Sequence, residues 1–147
     1  MTTQAENRVE TGTLIEVRAL KTHFQTPRGV VRAVDGVDLT IERGKSLGIV
    51  GESGSGKTIL SRSIMGLLPR FGTIREGSVS FQGQELIDRS PKDMRGIWGR
   101  EMAMIFQDPM TSLNPLMKIG KQISEPLMAH LGMDRSSAWE TAEKLLR

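Results

Sequence analysis

Eight consecutive residues, Gly51-Glu52-Ser53-Gly54-Ser55-Gly56-Lys57-Thr58, have the types and spacing needed to hold an anion. They fit the pattern G-x-x-x-x-G-K-[ST], in which glycines let successive backbone N–H groups turn toward a common point. Lys57 brings a mobile positive charge suited to the β- and γ-phosphates of a nucleotide. Thr58 brings a hydroxyl suited to Mg²⁺. The chemistry implied is capture of a phosphate tail. A flexible Gly/Ser linker is the competing reading, and the flanking residues decide between the two.

Before the loop, Ser46-Leu47-Gly48-Ile49-Val50 is a short apolar run that reads as a buried parallel strand. After it, Leu60, Ile64, Leu67 and Leu68 recur at helical spacing, and Pro69 stops the pattern. Strand, glycine-rich loop and helix together place the anion at a helix N-terminus. There, free N–H groups and the macrodipole favour negative charge.

A second polar position follows a second apolar run. Met102-Ala103-Met104-Ile105-Phe106 reads as another core strand, and it ends at Gln107-Asp108-Pro109. Open α/β sheets bind ligands beyond the C-terminal ends of their strands, so Gln107 could reach the γ-phosphate, its Mg²⁺ or the attacking water. Equally, Gln107 could simply begin the Asp-Pro turn.

The remaining elements must position these two sites. Residues 1–12 are polar and aperiodic and read as a disordered tail. Alternation predicts strands at residues 14–20, 37–41 and 77–83, with a turn at Thr26-Pro27-Arg28-Gly29. No helix separates these strands, so they read as an antiparallel sheet beside an α/β core. From about residue 116 the period becomes helical, with Leu116, Ile119, Ile123, Leu127 and Leu131 on one face. Pro126 should kink or split that helix, and Gly132 should end it. Asp134 is placed to cap a last helix whose apolar side is Ala138, Trp139, Ala142, Leu145 and Leu146.

Composition excludes several function classes. The chain of 147 residues carries a net charge of +3, no cysteine and no tyrosine. Zero cysteines rule out disulfides and thiolate metal sites, and scattered basic residues without aromatics argue against nucleic acid. His23 and His130 stand alone and read as ordinary packed or surface residues, not metal ligands. No apolar run approaches the roughly 18 residues of a membrane-spanning helix, and the first residues lack the apolar stretch of a secretory signal.

Taken with the second motif, the chain resembles the first half of an ABC transporter ATP-binding subunit. The branch it resembles energises uptake of oligopeptides, dipeptides and nickel. The resemblance rests on the loop from Gly51 to Thr58 and on Phe106-Gln107-Asp108-Pro109-Met110-Thr111-Ser112-Leu113-Asn114-Pro115. It is supported by Ala33-Val34-Asp35-Gly36-Val37 and by Met117-Lys118-Ile119-Gly120-Lys121-Gln122-Ile123-Ser124-Glu125. The implied fold is α/β: a P-loop NTPase core, an antiparallel β subdomain and the start of an α-helical subdomain, truncated. Residues 13–147 would be the N-terminal part of the ATP-binding domain.

The resemblance also implies roles. Gly51, Ser53, Gly54, Ser55, Gly56, Lys57 and Thr58 would bind ATP, with Thr58 and Gln107 at Mg²⁺ and Lys57 and Gln107 as the catalytic pair. Phe24 takes the place of the aromatic that stacks on adenine, although a strand-end core residue would look the same in sequence. Ile59 stands where a hydroxyl residue is usual, so its backbone N–H would serve the α-phosphate with one side-chain bond fewer. Implied partners are membrane-spanning permease subunits, a second ATP-binding subunit in a head-to-tail dimer and, indirectly, an extracytoplasmic solute-binding protein. The implied location is the cytoplasmic face of the cell membrane. Residues from Met110 to Met117 are candidates for the surface facing the permease, while Met110, Met117 and Met128 could equally fill a core.

The family's later elements do not follow Gln107 in this sequence. There is no strand ending in Asp-Glu, no Ser-Gly-Gly loop and no histidine beyond them. The expectation is a subunit interrupted before its catalytic half, inactive and aggregation-prone if expressed alone. A non-catalytic nucleotide-binding module and a soluble ABC-type ATPase acting on nucleic acid or ribosomes are the alternatives.

Overall fold

A computed structural model describes residues 12–107 and 113–147. The tail expected at residues 1–12, apart from Gly12, lies outside the described residues. So do Asp108, Pro109, Met110, Thr111 and Ser112 of the second motif. Two compact units, residues 1–90 and 91–147, are taken in turn.

The first unit is built on a long hairpin of β1 (Thr13–Thr26) and β2 (Gly29–Glu42). Its turn falls where Thr26-Pro27-Arg28-Gly29 predicts, closed by Thr26 Oγ1 donating to the Gly29 carbonyl at 2.7 Å. Both strands run well beyond the alternating stretches. The reason is visible in the register: His23 pairs with Arg32 but Thr22 with Val34, which leaves Ala33 as an extra residue in β2. Such a bulge breaks the two-residue period while keeping the ladder. A second irregularity in β1 puts Ala19 at φ 46, and its N–H is taken by Asp38 Oδ1 at 2.8 Å. β3 (Thr73–Phe81) pairs with the other edge of β1, and β4 (Gln84–Glu85) with β3. The sheet order is β2-β1-β3-β4, antiparallel throughout, as expected for the β subdomain.

Val17, Leu20 and Val79 are almost wholly buried at the centre of this sheet. Against it lies α1 (Lys57–Ile64), which buries Leu60, Ser63 and Ile64. The helix is shorter than its apolar pattern suggests. Gly66 at φ 66 turns left-handed, and Gly66 N and Leu67 N bond back to the Ser63 and Arg62 carbonyls at 3.1 and 2.9 Å. That reverse turn stops the helix before Pro69, and Leu68 is still buried.

The two expected core strands are not formed. Residues 46–50 are assigned to no strand, and Leu47, Ile49 and Val50 are exposed, Val50 at 94%. In residues 102–106, Met102 makes one isolated bridge to Trp98, and Ile105 is 98% exposed. Parallel strands have no local partner and need one delivered from far along the chain, so an apolar run alone does not make them pair.

The second unit holds α2 (Pro91–Met94), α3 (Ile119–Leu131) and α4 (Arg135–Leu145). Pro126 does not split α3, one of the two effects expected of it, and Gly132 ends the helix at φ 64 as expected. Pro126 is exposed, so water can serve the carbonyl that lacks an intrahelical donor. α3 begins at Ile119, and Leu116 is 93% exposed. The buried side of α3 is not its apolar stripe. Gly120 lies so close to Trp139 that a Cβ would sit 2.8 Å from the ring, and Ser124 is the residue that α3 buries. α4 answers with Ala138 and Ala142, both fully buried. Small residues let two helices approach closely, which leaves Ile119 and Leu131 half-exposed.

α1 is anchored to β1 by one buried polar contact. Ser63 Oγ donates to the Ile59 carbonyl at 2.7 Å, so its single hydrogen is used. Thr22 Oγ1, 2.8 Å away, must then be the donor to Ser63. Ser63→Ala should strand the buried Thr22 hydroxyl and cost about 1–3 kcal/mol. Adding Thr22→Val should recover part of that loss in chemical denaturation, and strict additivity would contradict the pairing.

Two carboxylates act as acid-labile ties. Asp134 caps α4 as expected, accepting from Ser137 Oγ at 2.6 Å and from the N–H groups of Ser136 and Ser137 at 2.9 and 3.1 Å. These bonds hold its carboxyl below the usual range. Burial pushes Glu85 up, but the Ser78 hydroxyl and the N–H groups of Ile87, Val79 and Leu86 outweigh it, and the net direction is down. Both groups therefore add stability above ordinary carboxylate values and lose it as pH falls through their lowered folded values. Asp134→Ala should flatten the acid limb of a helicity-versus-pH curve followed by circular dichroism. Superimposable limbs would argue against the cap.

Candidate phosphate-binding site

The loop from Gly51 to Thr58 sits between the β2 bulge and α1. Gly54 and Gly56 adopt φ 80 and φ 89, left-handed values that turn the backbone inward at alternate residues. Gly56 is also the N-cap of α1 and offers no side-chain bond to it, and the first turn contains no acidic residue. The start of α1 thus has neither a side-chain cap nor an acidic residue to offset the positive end of its dipole.

Lys57 ties the loop together. Its Nζ donates to the carbonyls of Gly51 and Glu52 at 2.8 and 2.6 Å and to Ser55 Oγ at 3.3 Å. Gly56 fits because it has no side chain: a Cβ there would run into the Ala33 carbonyl oxygen. A cavity of about 440 Å³ opens beside the loop, lined by residues 31–33 and 54–59. A second of about 280 Å³ shares Ala33, Ser55, Gly56 and Lys57 with it and reaches Ile49, Val50 and Gly51.

The structure thus brings Gly54, Ser55, Gly56, Lys57, Thr58 and Ile59 to one cavity wall. Phe24 is half-buried on β1, and its cross-strand neighbour Val31 lines that cavity. Gln107 belongs to the second unit, where it is exposed at a bend. Sequence reasoning missed the β2 contribution to the lining, Val31, Arg32 and Ala33. The only signal was the broken alternation in Val30-Val31-Arg32-Ala33-Val34, which the bulge explains. Among the described residues no cluster of three or more His, Cys, Asp or Glu side chains could hold a metal. A magnesium ion here would rest on Thr58 and on phosphate oxygens, the usual division for that ion.

A family model described as ABC transporter matches residues 34–147, a span that includes the phosphate loop, Gln107 and both long helices. The chain belongs to the ABC transporter family. It is 46% identical over 134 residues to the oligopeptide transport ATP-binding protein OppD of Bacillus subtilis, covering 90% of this chain and 37% of that protein. It is 47% identical over 133 residues to OppD of Haemophilus influenzae, covering 90% and 41%. To the dipeptide transport ATP-binding protein DppD of Lactococcus lactis it is 44% identical over 135 residues, covering 91% and 39%. The chain therefore spans about two fifths of the length of these relatives. Its fold matches the ATP-binding cassette MJ0796, solved as a dimer bound to ADP and Pi, with a TM-score of 0.72 at 22% identity. That match covers 89% of this chain and 55% of MJ0796. The expected α/β cassette architecture and the oligopeptide/dipeptide branch of the resemblance are both supported by these matches.

The two left-handed glycines should differ in tolerance. A Cβ on Gly54 meets nothing within 4 Å, whereas one on Gly56 collides with main chain. Gly54→Ala should cost about 1 kcal/mol of backbone strain, and Gly56→Ala clearly more. Thermal melts of the two variants compare them directly, and equal losses would contradict the packing of Gly56 against Ala33.

Proposed function

We propose that this chain forms the nucleotide-clasping part of an ATP-driven subunit that powers import of peptides or related solutes. The observation that carries this reading is the tied loop: Gly54 and Gly56 turned left-handed, Lys57 across the loop, and an acid-free helix start, all on one cavity. A cavity of that size suits a nucleotide, since small-ligand sites run from about 300 to 1,000 Å³.

In this reading Ser53 to Thr58 surround the β-phosphate and Lys57 extends to the γ-phosphate. The Ile59 N–H serves the α-phosphate, and Phe24 stacks on the base. Mg²⁺ would be held by Thr58 and phosphate oxygens, with Gln107 as the further ligand the resemblance implies, and would supply charge neutralisation. The chain's own contribution is positioning and fixed positive potential, the larger part of phosphoryl-transfer catalysis. Gln107 reports nucleotide state toward the permease. MJ0796 was solved as a dimer, which supports pairing with a second ATP-binding subunit.

No helix among the described residues is long and apolar enough to cross a membrane. Contact with permease subunits at the cytoplasmic face would then be made by surface residues. Leu113 and Leu116, six and nine residues after Gln107, are exposed at 49% and 93%. Gln122 fixes their loop, accepting from Asn114 N at 2.8 Å and donating to the Asn114 and Met117 carbonyls at 2.9 and 2.8 Å. The names of OppD and DppD support peptide cargo. An extracytoplasmic solute-binding protein as indirect partner is part of the proposal and rests on the sequence resemblance alone.

Lys57→Ala should weaken ATP binding by at least about tenfold, since it removes a charge-assisted partner of the phosphates. Gln107→Ala should leave affinity within about twofold while lowering transport-linked turnover, because it acts after capture. Photo-crosslinking of ATP and hydrolysis assays in the membrane-assembled protein test both. Undiminished crosslinking in Lys57→Ala would overturn the site.

A further inference from the structure

The part of the cavity lining that comes from β2 carries a cation that the loop motif does not include. Arg32 lies on β2 immediately before the bulge residue Ala33, and both line the 440 Å³ cavity with residues 54–59. The bulge matters geometrically. An extra residue rotates the strand locally, and here it brings the Ala33 carbonyl against Gly56 and sets Arg32 at the rim of the same space. Arg32 is not tightly committed elsewhere. Its Nη1 lies 3.8 Å from Asp35 Oδ2, a loose pair on an exposed side chain. Asp35 already accepts a closer contact from His23 Nε2 at 3.0 Å.

Three sources of positive potential therefore face one cavity: the start of α1, Lys57 and Arg32. The first two belong to the loop and serve the distal phosphates. Arg32 lines the cavity from β2, outside the loop, which leaves it available to the phosphate nearest the sugar once the loop holds the distal ones. Ile59 lines that cavity without any side-chain donor, so the proximal phosphate has a backbone N–H but no hydroxyl there. A guanidinium presents several donors in a fixed fork and suits a phosphate oxygen.

We propose that Arg32 is a nucleotide-binding residue that contacts the α-phosphate, supplying from β2 the side-chain donor that Ile59 does not. The proposal rests on the nucleotide-site reading above. It assigns Arg32 the phosphate next to the sugar, leaving the β- and γ-phosphates to the loop.

The test is equilibrium binding by the purified full-length protein, with fluorescent ATP as probe and ATP, ADP and inorganic pyrophosphate as competitors. Wild type, Arg32→Gln, Arg32→Lys and Lys57→Ala are compared. Arg32→Gln should weaken ATP and ADP by the same factor, about three- to fivefold for an exposed charge pair, and leave pyrophosphate unchanged. Arg32→Lys should recover part of the loss. Lys57→Ala should weaken all three competitors. Unchanged ATP and ADP affinity in Arg32→Gln, with Lys57→Ala impaired, would overturn the role of Arg32 alone. Equal weakening of pyrophosphate would reduce it to general surface charge and overturn the α-phosphate assignment. A wild-type protein that binds none of the three would overturn the nucleotide site, and this inference with it. Arg32 is exposed, so its variants should fold, and matching thermal melts check that they do.

Discussion

An ammonium bridging two carbonyls sets the shape of this site. Lys57 holds the Gly51 and Glu52 carbonyls with one nitrogen, which fixes the two sides of the loop at a separation the glycines alone would not choose. Glycine lowers the barrier to a left-handed backbone but does not select it, since its unfolded ensemble is the widest of all residues. The selection comes from Lys57 on one side and from Ala33 on the other, where main chain packs against Gly56 too closely for any other residue. The loop is therefore shaped by contacts to β2 as much as by its own sequence.

That dependence runs back through the sheet. Gly56 can meet Ala33 only if α1 stays seated, and Thr22 with Ser63 seats it through a hydroxyl pair shielded from water. A buried hydroxyl pair is directional where apolar contact is not. Leu60 and Ile64 would tolerate a small slide of the helix along the sheet, whereas a 2.8 Å hydrogen bond would not. The apolar face of α1 supplies most of its adhesion, and the polar pair supplies its register.

How much of this the sequence disclosed depended on how local each cause was. The phosphate loop, the turn at residues 26–29, the Asp134 cap and the Gly132 stop are set by residues within a few positions of each other, and all were legible. The bulge at Ala33 was not legible, because it is defined by what β1 places opposite it. Neither was the α3–α4 contact. A hydrophobic stripe points to Ile119, Ile123 and Leu127, but closeness of approach selected Gly120 and Ser124. Amphipathic pattern reports which face prefers to leave water. It does not report which face a partner of small residues can reach.

The two apolar runs at residues 46–50 and 102–106 show the same limit from the other direction. Their composition suits buried parallel strands, yet Val50 and Ile105 stand almost fully in water. The antiparallel sheet has no such difficulty. β1 and β2 are joined by a tight turn, and β3 pairs antiparallel with the free edge of β1, so β3 needs only one strand already held in the hairpin. A parallel pair cannot be assembled that way, since its strands must arrive from separate crossovers and bring non-local order at a larger cost in chain entropy. The phosphate loop stands at the junction of these two regimes, preceded by a segment that forms no strand but clasped by the antiparallel sheet. Its geometry holds here because the determining contacts, Lys57 to Gly51 and Gly56 to Ala33, belong to the loop and to the antiparallel side.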